Sequence, residues 1–199
     1  RTSEARGHPV TRDIHLLVPS FHATGPIKGA VALANALVTQ RRVTLVALKG
    51  GPGTDALLDE RVAAVSLARH RGTIRRAAAY RGMLDAAGGR SRVASISMLF
   101  SADLVNAFCG RSAVTCASIR GNLFGAYRHT YGIAGVPFAF THLTLLRRMD
   151  CVVAMTSAMA RQISRYAPHT PAVIGNFVDE SELERHRDRS PRTGPLRIA

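Results

Sequence analysis

The chain has 199 residues, of which 46% are hydrophobic, and a formal net charge of +14 at pH 7 that comes almost entirely from arginine. This length fits one globular domain with a sizeable core, and no apolar run approaches the roughly 18 residues of a membrane span. So strong a charge predicts anionic partners, such as phosphorylated substrates, acidic lipid headgroups or nucleic acid, unless it reflects composition alone or is balanced by an acidic region elsewhere.

Short apolar runs alternate with helical stretches along the chain. Strands are predicted over 13–19, 43–48, 62–67, 93–99, 113–118, 151–155 and 172–174. Helices are predicted over 26–40, 74–87, 103–108, 138–148 and 158–166, and the glycine- and tyrosine-rich stretch 120–136 is predicted to be a long loop. This alternation indicates an α/β fold, a Rossmann-like doubly wound parallel sheet of about seven strands with helices on both faces.

The three cysteines, Cys109, Cys116 and Cys151, form no C-x-x-C pair and have no zinc-site spacing. We interpret them as buried reduced thiols, which suit a reducing compartment. No metal site is predicted.

Ligands of such sheets bind outside the carboxyl ends of the strands. The segments that follow the predicted strands are 20–25, 49–53, 100–101, 119–131, 156–157 and 175–179. In the first, Thr24 and Gly25 precede a helix that begins at Pro26, where free N–H groups favour an anion. The stretch is neither G-x-G-x-x-G nor a Walker loop, and Gly25 taken alone is more typical of a turn.

Polar and aromatic residues follow the fifth and sixth strands. The Arg120 guanidinium can hold a phosphate or carboxylate, and Asn122 can pair with sugar hydroxyls, although Arg120 would equally cap a strand or pair with a structural acid. Tyr127 and His129 offer a stacking face and an anion contact, or belong to a mobile surface loop. Ser157 is first a helix cap and second a candidate substrate contact.

Histidines and arginines have ordinary interpretations as well. His142 lies on an apolar helical stripe and His15 lies inside a strand, so both are interpreted as structural, and His22 is either a hydrogen-bonding loop residue or a surface residue. The helix over 74–87 carries Arg75 and Arg76 off an apolar stripe, which fits an anionic membrane surface or a solvated face. That stripe consists of Ala77, Tyr80, Leu84 and Ala87.

Four stretches carry a family resemblance. They are I-H-L-L-V-P-S-F-H-A-T-G at 14–25, V-T-C-A-S-I-R-G-N at 114–122, D-C-V-V-A-M-T-S-A-M-A-R at 150–161 and A-V-I-G-N-F-V-D at 172–179. In order and spacing they resemble the N-terminal half of GT-B glycosyltransferases of family 4 (group 1). Thr24 stands where a second glycine is common, and Gly175 and Phe177 stand where Pro and Gly are usual.

The resemblance implies retaining, metal-free transfer of a sugar from a nucleotide-sugar to a saccharide or lipid-linked acceptor, in cell-surface polysaccharide or glycolipid synthesis. It implies a cytoplasmic protein that is peripheral on the inner face of a bacterial membrane. Thr24 and Gly25 would approach the donor diphosphate. The family's histidine after the fourth strand is missing from 97–101, so no catalytic residue is assigned. The residues expected to contact the acceptor are Phe21, His22, Arg120, Asn122, Tyr127, His129 and Ser157.

The resemblance also sets the expected domain boundaries. Residues 1–12 would be a disordered or tag-proximal leader, and 13–179 the acceptor-binding domain. Residues 180–199 would be a linker and the start of a truncated second domain that holds most of the nucleotide, so the chain alone is expected to be inactive. The alternative is a non-catalytic Rossmann-like ligand-binding module. Nucleic acid is not expected as a partner, because no helix-turn-helix, RNP or zinc-knuckle motif is present.

Overall fold

Seven parallel strands form one sheet in the computed structural model of the chain, which describes residues 12–54, 57–167 and 169–175. The strands are β1 Asp13–Ser20, β2 Val43–Lys49, β3 Ala63–Ser66, β4 Val93–Met98, β5 Val114–Ile119, β6 Cys151–Ala154 and β7 Ala172–Val173. The helices are α1 Gly25–Leu37, α2 Thr73–Ala86, α3 Phe100–Asn106, α4 Leu123–Tyr131, α5 Gly135–Leu146 and α6 Ser157–Ile163, with 3-10 turns at Gly89–Ser91 and Gly132–Ala134. The predicted α/β fold is confirmed.

The strands lie in the order β3-β2-β1-β4-β5-β6-β7. β1 is therefore central, with Leu16 opposite Leu45 of β2 on one side and Ile96 of β4 on the other. The chain winds outward from β1 in both directions, so the strand order reverses between β1 and β4. In doubly wound sheets this reversal opens a crevice at the carboxyl ends of the strands.

Helices cover both faces of the sheet because side chains alternate along each strand. Leu16 and Val18 of β1 pack against α1, whose buried residues are Ile27, Gly29, Ala30, Val31 and Ala34. Leu17 points to the other face and packs with Tyr80 of α2 and with α3. α5 lies beside α3 and shares a core with β5 and β6. Complete burial of one such leucine stabilises the fold by about 2 kcal/mol.

The prediction of a loop over 120–136 is wrong, because residues 123–131 form α4. Asn122 caps this helix, since its side-chain Oδ1 accepts a hydrogen bond from the Gly125 N–H at 3.0 Å. Leu123 is buried at its start. The glycines that suggested a loop therefore lie at or near helix ends, where they do not interrupt the hydrogen bonds of the helix.

Other boundaries differ by a few residues. Ser157 was predicted to cap α6, but it is the first helical residue. The cap is Thr156, whose hydroxyl accepts a hydrogen bond from the Met159 N–H at 3.2 Å. Nearly all of the predicted leader, the residues from 176 to 179 of the fourth family stretch and the predicted linker lie outside the described residues.

At the amino edge of the sheet, Arg90 links segments that are distant in sequence. Its guanidinium donates to both carboxylate oxygens of Asp150, at 2.7 and 2.8 Å, and to the carbonyls of Gly110 and Ala113, at 2.6 and 2.9 Å. Asp150 also accepts from the Thr115 N–H at 2.8 Å. Hydrogen bonding to Arg90 lowers the pKa of Asp150 to about 2. We call this group the Arg90–Asp150 clamp.

The cysteines are free thiols, as predicted, but only Cys109 is fully buried. Cys116 and Cys151 are half-buried and lie opposite each other in the β5–β6 register. Hydrogen bonding to Cys116 lowers the pKa of the Cys151 thiol. None of the helices in the described part of the chain has the length and hydropathy needed to cross a membrane.

Candidate functional site

Two cavities open at the carboxyl edge of the sheet. The β4–β5 cavity, of about 470 Å³, lies where β4 and β5 end, next to the starts of α1 and α3 and beside α4. The β1–β2 cavity, of about 340 Å³, lies where β1 and β2 end, against the start of α2. Ser101 of α3 lines both, so the two cavities are neighbours. This is the edge at which the strand pattern predicted a site.

The walls of the β4–β5 cavity are mainly apolar and aromatic. Phe100 and Tyr127 meet edge to face on one side, with ring centroids 6.0 Å apart. Leu99, Leu123 and Tyr131 complete much of the lining. Polar groups are few, and such a cavity suits a ligand with an apolar body and a small number of polar contacts.

Leu99, at the entrance to α3, has φ +74° and is the one non-glycine residue with positive φ among the described residues. A leucine in this conformation costs about 1–3 kcal/mol, and the surrounding packing must maintain it. Leu99 lines the β4–β5 cavity. Residues in sparsely populated backbone conformations cluster at ligand sites, so we regard Leu99 as part of the site.

A line of three hydrogen-bonded side chains ends in this cavity. The Asp103 carboxylate and the His142 ring are buried, with 0% and 2% of their surface exposed. His142 Nε2 lies 2.7 Å from Asp103 Oδ2, and His142 Nδ1 lies 3.1 Å from the Tyr127 hydroxyl. α3, α5 and α4 supply one member each, so the packing of the three helices sets the geometry of the line.

The carboxylate fixes the direction of these hydrogen bonds. An ionised carboxylate only accepts, so His142 Nε2–H donates to Asp103. In the neutral ring Nδ1 is then an acceptor, and the Tyr127 O–H donates to it. The lone pairs of the Tyr127 oxygen remain available to a ligand hydroxyl in the cavity. Burial, with the Asp103 charge, raises the pKa of the Tyr127 hydroxyl, so it stays protonated at neutral pH.

Further buried hydrogen bonds hold Asp103 in place. Ser97 Oγ donates to Asp103 Oδ1 at 2.6 Å, and Asn106 Nδ2 donates to Ser97 Oγ at 3.0 Å. Asn106 Oδ1 in turn accepts from Ser95 Oγ, which is 2.6 Å from the Tyr80 hydroxyl. Buried polar groups that are all satisfied in this way rigidify their surroundings. Tyr127 is thus held by a network that extends across β4.

The candidate acceptor-binding residues that follow β5 and β6 lie in different surroundings. Arg120 is half-buried and lines the β4–β5 cavity with Tyr127, and desolvation lowers the pKa of its guanidinium. The side-chain oxygen of Asn122 is already occupied by the helix cap and by Gln162 Nε2, at 3.0 Å each. His129 and Ser157 are exposed on α4 and α6. Contacts from these residues to an acceptor stay predictions.

In the loop between β1 and α1, some residues are buried in the core and others are exposed to solvent. Phe21 is buried with β1 and α1, so its ring belongs to the core. His22 is exposed and lines the β1–β2 cavity. Thr24 is the N-cap of α1 and Gly25 its first residue, both exposed, with Pro26 reaching the β4–β5 cavity. Their approach to a donor diphosphate stays a prediction.

Two residues of the site were not identified as such in the sequence. His142 is the satisfied core histidine that the stripe predicted, but it also lines the cavity. Asp103 was interpreted only as the start of a short helix. The available signal was an acidic residue shortly after β4 together with a histidine on an otherwise apolar helical face. Their pairing depends on tertiary packing.

The apolar stripe of α2 is not free to meet a lipid surface. Ala77, Tyr80 and Leu84 of the predicted stripe are buried in the core that α2 forms with the sheet. Arg75 and Ile74 stay exposed. Association with an anionic membrane therefore depends on exposed arginines and stays a prediction. Within the described residues, no group of three or more His, Cys, Asp or Glu side chains is arranged to hold a metal ion.

No protein-family model matches the chain, and no curated protein matches it significantly by sequence. Solved structures match it by fold. Phytolacca americana UGT2 complexed with UDP-2fluoro-glucose and pterostilbene matches 92% of this chain and 58% of its own, with a TM-score of 0.57 and 14% identity. A Polygonum tinctorium UDP-glucosyltransferase capable of glucosylating indoxyl, in complex with 3,4-dichloroaniline, matches 93% and 58%, with a TM-score of 0.55 and 13% identity.

A UGT transferase from Siraitia grosvenorii in complex with UDP matches 82% of this chain and 50% of its own, with a TM-score of 0.51 and 10% identity. The chain thus spans little more than half the length of these proteins. At such low identity the likeness is one of fold. The chain shares the Rossmann-like α/β fold found in these UDP-glycosyltransferases of GT-B architecture.

Proposed function

We propose that this chain is the acceptor-binding domain of a glycosyltransferase, which transfers a sugar from a nucleotide-sugar to an acceptor hydroxyl. The observation that carries the proposal is the β4–β5 cavity, in which the Tyr127 hydroxyl is held by His142 and Asp103. The fold shared with UDP-glycosyltransferases supports it.

In this proposal the apolar walls hold the body of the acceptor, and its reacting hydroxyl donates a hydrogen bond to Tyr127 Oη. When the His142 ring is neutral, the Tyr127 O–H donates to Nδ1, and the Tyr127 oxygen then accepts a hydrogen bond from the acceptor hydroxyl. Arg120 contacts polar groups near the mouth. Thr24 and Gly25, at the N-terminus of α1, face the donor diphosphate, where the helix dipole favours negative charge.

The finer assignments are proposals as well. We infer a retaining, metal-free hexosyltransferase of the family 4 type, acting on a saccharide or lipid-linked acceptor in bacterial surface-polysaccharide or glycolipid synthesis. The four sequence stretches support this assignment. A cytoplasmic location at the inner face of the membrane is proposed on the same basis and on the exposed arginines. Co-sedimentation with anionic and with neutral lipid vesicles tests the membrane contact.

An assay of sugar transfer tests the central proposal. The protein that contains this chain is incubated with a panel of nucleotide-sugars and hydroxylated acceptors, and transfer is measured. Tyr127→Phe keeps the ring and removes the hydroxyl, so kcat/KM should fall about tenfold or more, as expected for a lost hydrogen bond. Tyr166→Phe is the matched control, because Tyr166 packs against Phe140 away from both cavities.

Two results would contradict the proposal. Equal activity of Tyr127→Phe and Tyr166→Phe would remove Tyr127 from the reaction. Saturable ligand binding in the β4–β5 cavity without sugar transfer from any nucleotide-sugar would favour the alternative, a non-catalytic ligand-binding module. Thermal unfolding of each variant shows whether a loss of activity is a loss of fold.

A further inference from the structure

The β1–β2 cavity is cationic, in contrast to the aromatic β4–β5 cavity. Lys49 at the end of β2, Arg76 on α2 and the His22 ring after β1 line it. Ser20, Thr73 and Ser101 add three hydroxyls. The described lining contains no carboxylate, so the side chains present are suited to an oxyanion.

The cations of this cavity are not neutralised within the described structure. In the part of the chain that the structure describes, neither Lys49 nor Arg76 forms an ion pair. The Nε of Arg76 is buried and finds no hydrogen-bond partner among these residues. A buried N–H without a partner costs about 1–3 kcal/mol, and more on a charged group. The Arg76 side chain lines the cavity, so an oxyanion bound there would balance its positive charge.

The cavity is also held in shape by its surroundings. The His22 ring packs so closely over Gly51 that a Cβ on Gly51 would lie 2.9 Å from His22 Cδ2. Thr73 is the first residue of α2, a helix of 14 residues, and the N–H groups of its first turn add positive potential. The two cationic side chains come from β2 and α2, and His22 follows β1; the core packs these three elements together.

We propose that the β1–β2 cavity binds a phosphoryl oxyanion, gripped by the Arg76 guanidinium and Lys49. Because this cavity adjoins the β4–β5 cavity at Ser101, we assign the oxyanion to the acceptor. The acceptor is then a phosphomonoester or phosphate-linked compound whose apolar part occupies the aromatic cavity. This assignment rests on the proposed function, whereas oxyanion binding does not.

Calorimetric titration of the chain with inorganic phosphate and with phenyl phosphate tests the site directly. We expect one saturable site, with phenyl phosphate bound more tightly than phosphate. Arg76→Gln and Lys49→Gln should each weaken binding about tenfold or more, in line with the loss of a charge-assisted hydrogen bond. Arg75→Gln is the matched control, since Arg75 is the exposed neighbour of Arg76 on α2, and it should leave the Kd unchanged.

Several outcomes would overturn the proposal. Absence of saturable phosphate binding would do so, and so would equal weakening by Arg75→Gln and Arg76→Gln, since the net charge of +14 would then be the cause. Circular dichroism and thermal unfolding establish that the variants are folded, and Arg76→Lys, which keeps the charge, should retain part of the affinity.

A second titration tests whether the phosphoryl group bound in this cavity belongs to the acceptor or to the nucleotide-sugar donor. Phenyl phosphate and UDP are compared on the chain and on its Arg76→Gln variant. Tighter binding of UDP, lost in the variant, would overturn the assignment to the acceptor and place the donor diphosphate in this cavity. Phosphate binding together with failure of sugar transfer would contradict the proposed function alone.

Discussion

Gly25, the first residue of α1, has no described atom within 4 Å of the position that a Cβ would occupy. The fold therefore does not require glycine at this position, and the space in front of the helix N-terminus is open. Thr24 before it is the N-cap, but its side chain makes no capping hydrogen bond. If a donor diphosphate approaches this backbone, Gly25 provides the room for it.

Substituting Gly25 by alanine separates an effect on the stability of the fold from an effect on donor binding. Gly25→Ala should leave the free energy of unfolding unchanged or raise it by up to about 1 kcal/mol, because alanine favours helix more than glycine does. The KM for the nucleotide-sugar should rise about tenfold, which corresponds to ~1.4 kcal/mol of lost binding. Urea unfolding and steady-state kinetics of the protein that contains this chain measure the two effects.

Gly82→Ala is the control for the general effect of the substitution. Gly82 lies within α2, and a Cβ there would also meet nothing within 4 Å. It should change stability in the same direction and leave the KM unchanged. A Gly25→Ala protein with the wild-type KM would show that the donor does not approach this residue.

At the residue scale, sequence predicted which segments reach the site but not which side chains meet there. Arg120 and Tyr127, which follow β5, both line the β4–β5 cavity. Asp103 and His142 lie 39 residues apart, and nothing in either local sequence indicates their 2.7 Å contact. The side-chain oxygen of Asn122 also accepts the hydrogen bond that caps α4, a role that the sequence analysis did not assign to it. A side chain has a limited number of hydrogen bonds, and local structure can use them first.

α4 and α5 form a tight helical hairpin that carries Tyr127 and His142. Gly135, at the start of α5, lies directly against the Tyr127 carbonyl of α4, and a Cβ there would overlap that carbonyl and lie 2.9 Å from the Arg128 nitrogen. Gly135 has ordinary helical dihedral angles, with φ −67°. Glycine is thus required here for space and not for backbone conformation.

Gly135→Ala should push α4 away from α5 and lengthen the Tyr127–His142 hydrogen bond. Forced repacking of this kind costs about 1–3 kcal/mol. We expect lower stability in urea unfolding, together with faster hydrogen exchange at the amides of α4. Acceptor binding should weaken as well, because Tyr127 moves with the helix.

Gly125→Ala, on the same helix, is the comparison for this change. A Cβ there would lie 3.4 Å from Asn122 Cγ, an ordinary van der Waals distance, so the variant should be at least as stable as wild type. If Gly135→Ala behaves like Gly125→Ala, the two helices are not in the close contact that positions Tyr127.

At the element scale, strands and long helices were predictable because their patterns repeat over many residues. α4 was not, since residues 121, 125 and 132 are glycines and the stretch shows no clear apolar period. Its stability comes from the Asn122 cap and from contacts with α5, which are invisible to local periodicity. The missed helix is therefore one that tertiary contacts stabilise.

For the whole molecule, alternating strands and helices were sufficient to predict the doubly wound sheet. Right-handed crossovers and buried parallel strands leave few arrangements for such a pattern. The strand pattern alone did not show how the segments that lead into β4, β5 and β6 are tied together. The Arg90–Asp150 clamp does this at the amino edge, opposite the cavities, by connecting the segments before β4, β5 and β6.

Removing Arg90 tests the clamp without touching the site. Arg90→Gln breaks the ion pair and the bonds to the Gly110 and Ala113 carbonyls. It should lower the free energy of unfolding at neutral pH by about 1–2 kcal/mol, a value reduced from that of a buried pair because solvent reaches both side chains. Arg111→Gln, an exposed arginine without a described ion pair, should change stability far less.

The pH dependence of the stability difference between wild type and Arg90→Gln shows which hydrogen bonds of Arg90 cause it. The folded-state pKa of Asp150 is lowered to about 2, below its ordinary value of 3.8, so its stabilising effect is complete above the unfolded-state value. The effect is lost as pH falls from about 4 through about 2. Urea unfolding at pH 6, 4 and 3 should therefore show the gap between wild type and Arg90→Gln narrowing below pH 4. A gap that stays constant over this range would mean that the guanidinium acts through the two carbonyls and not through the carboxylate.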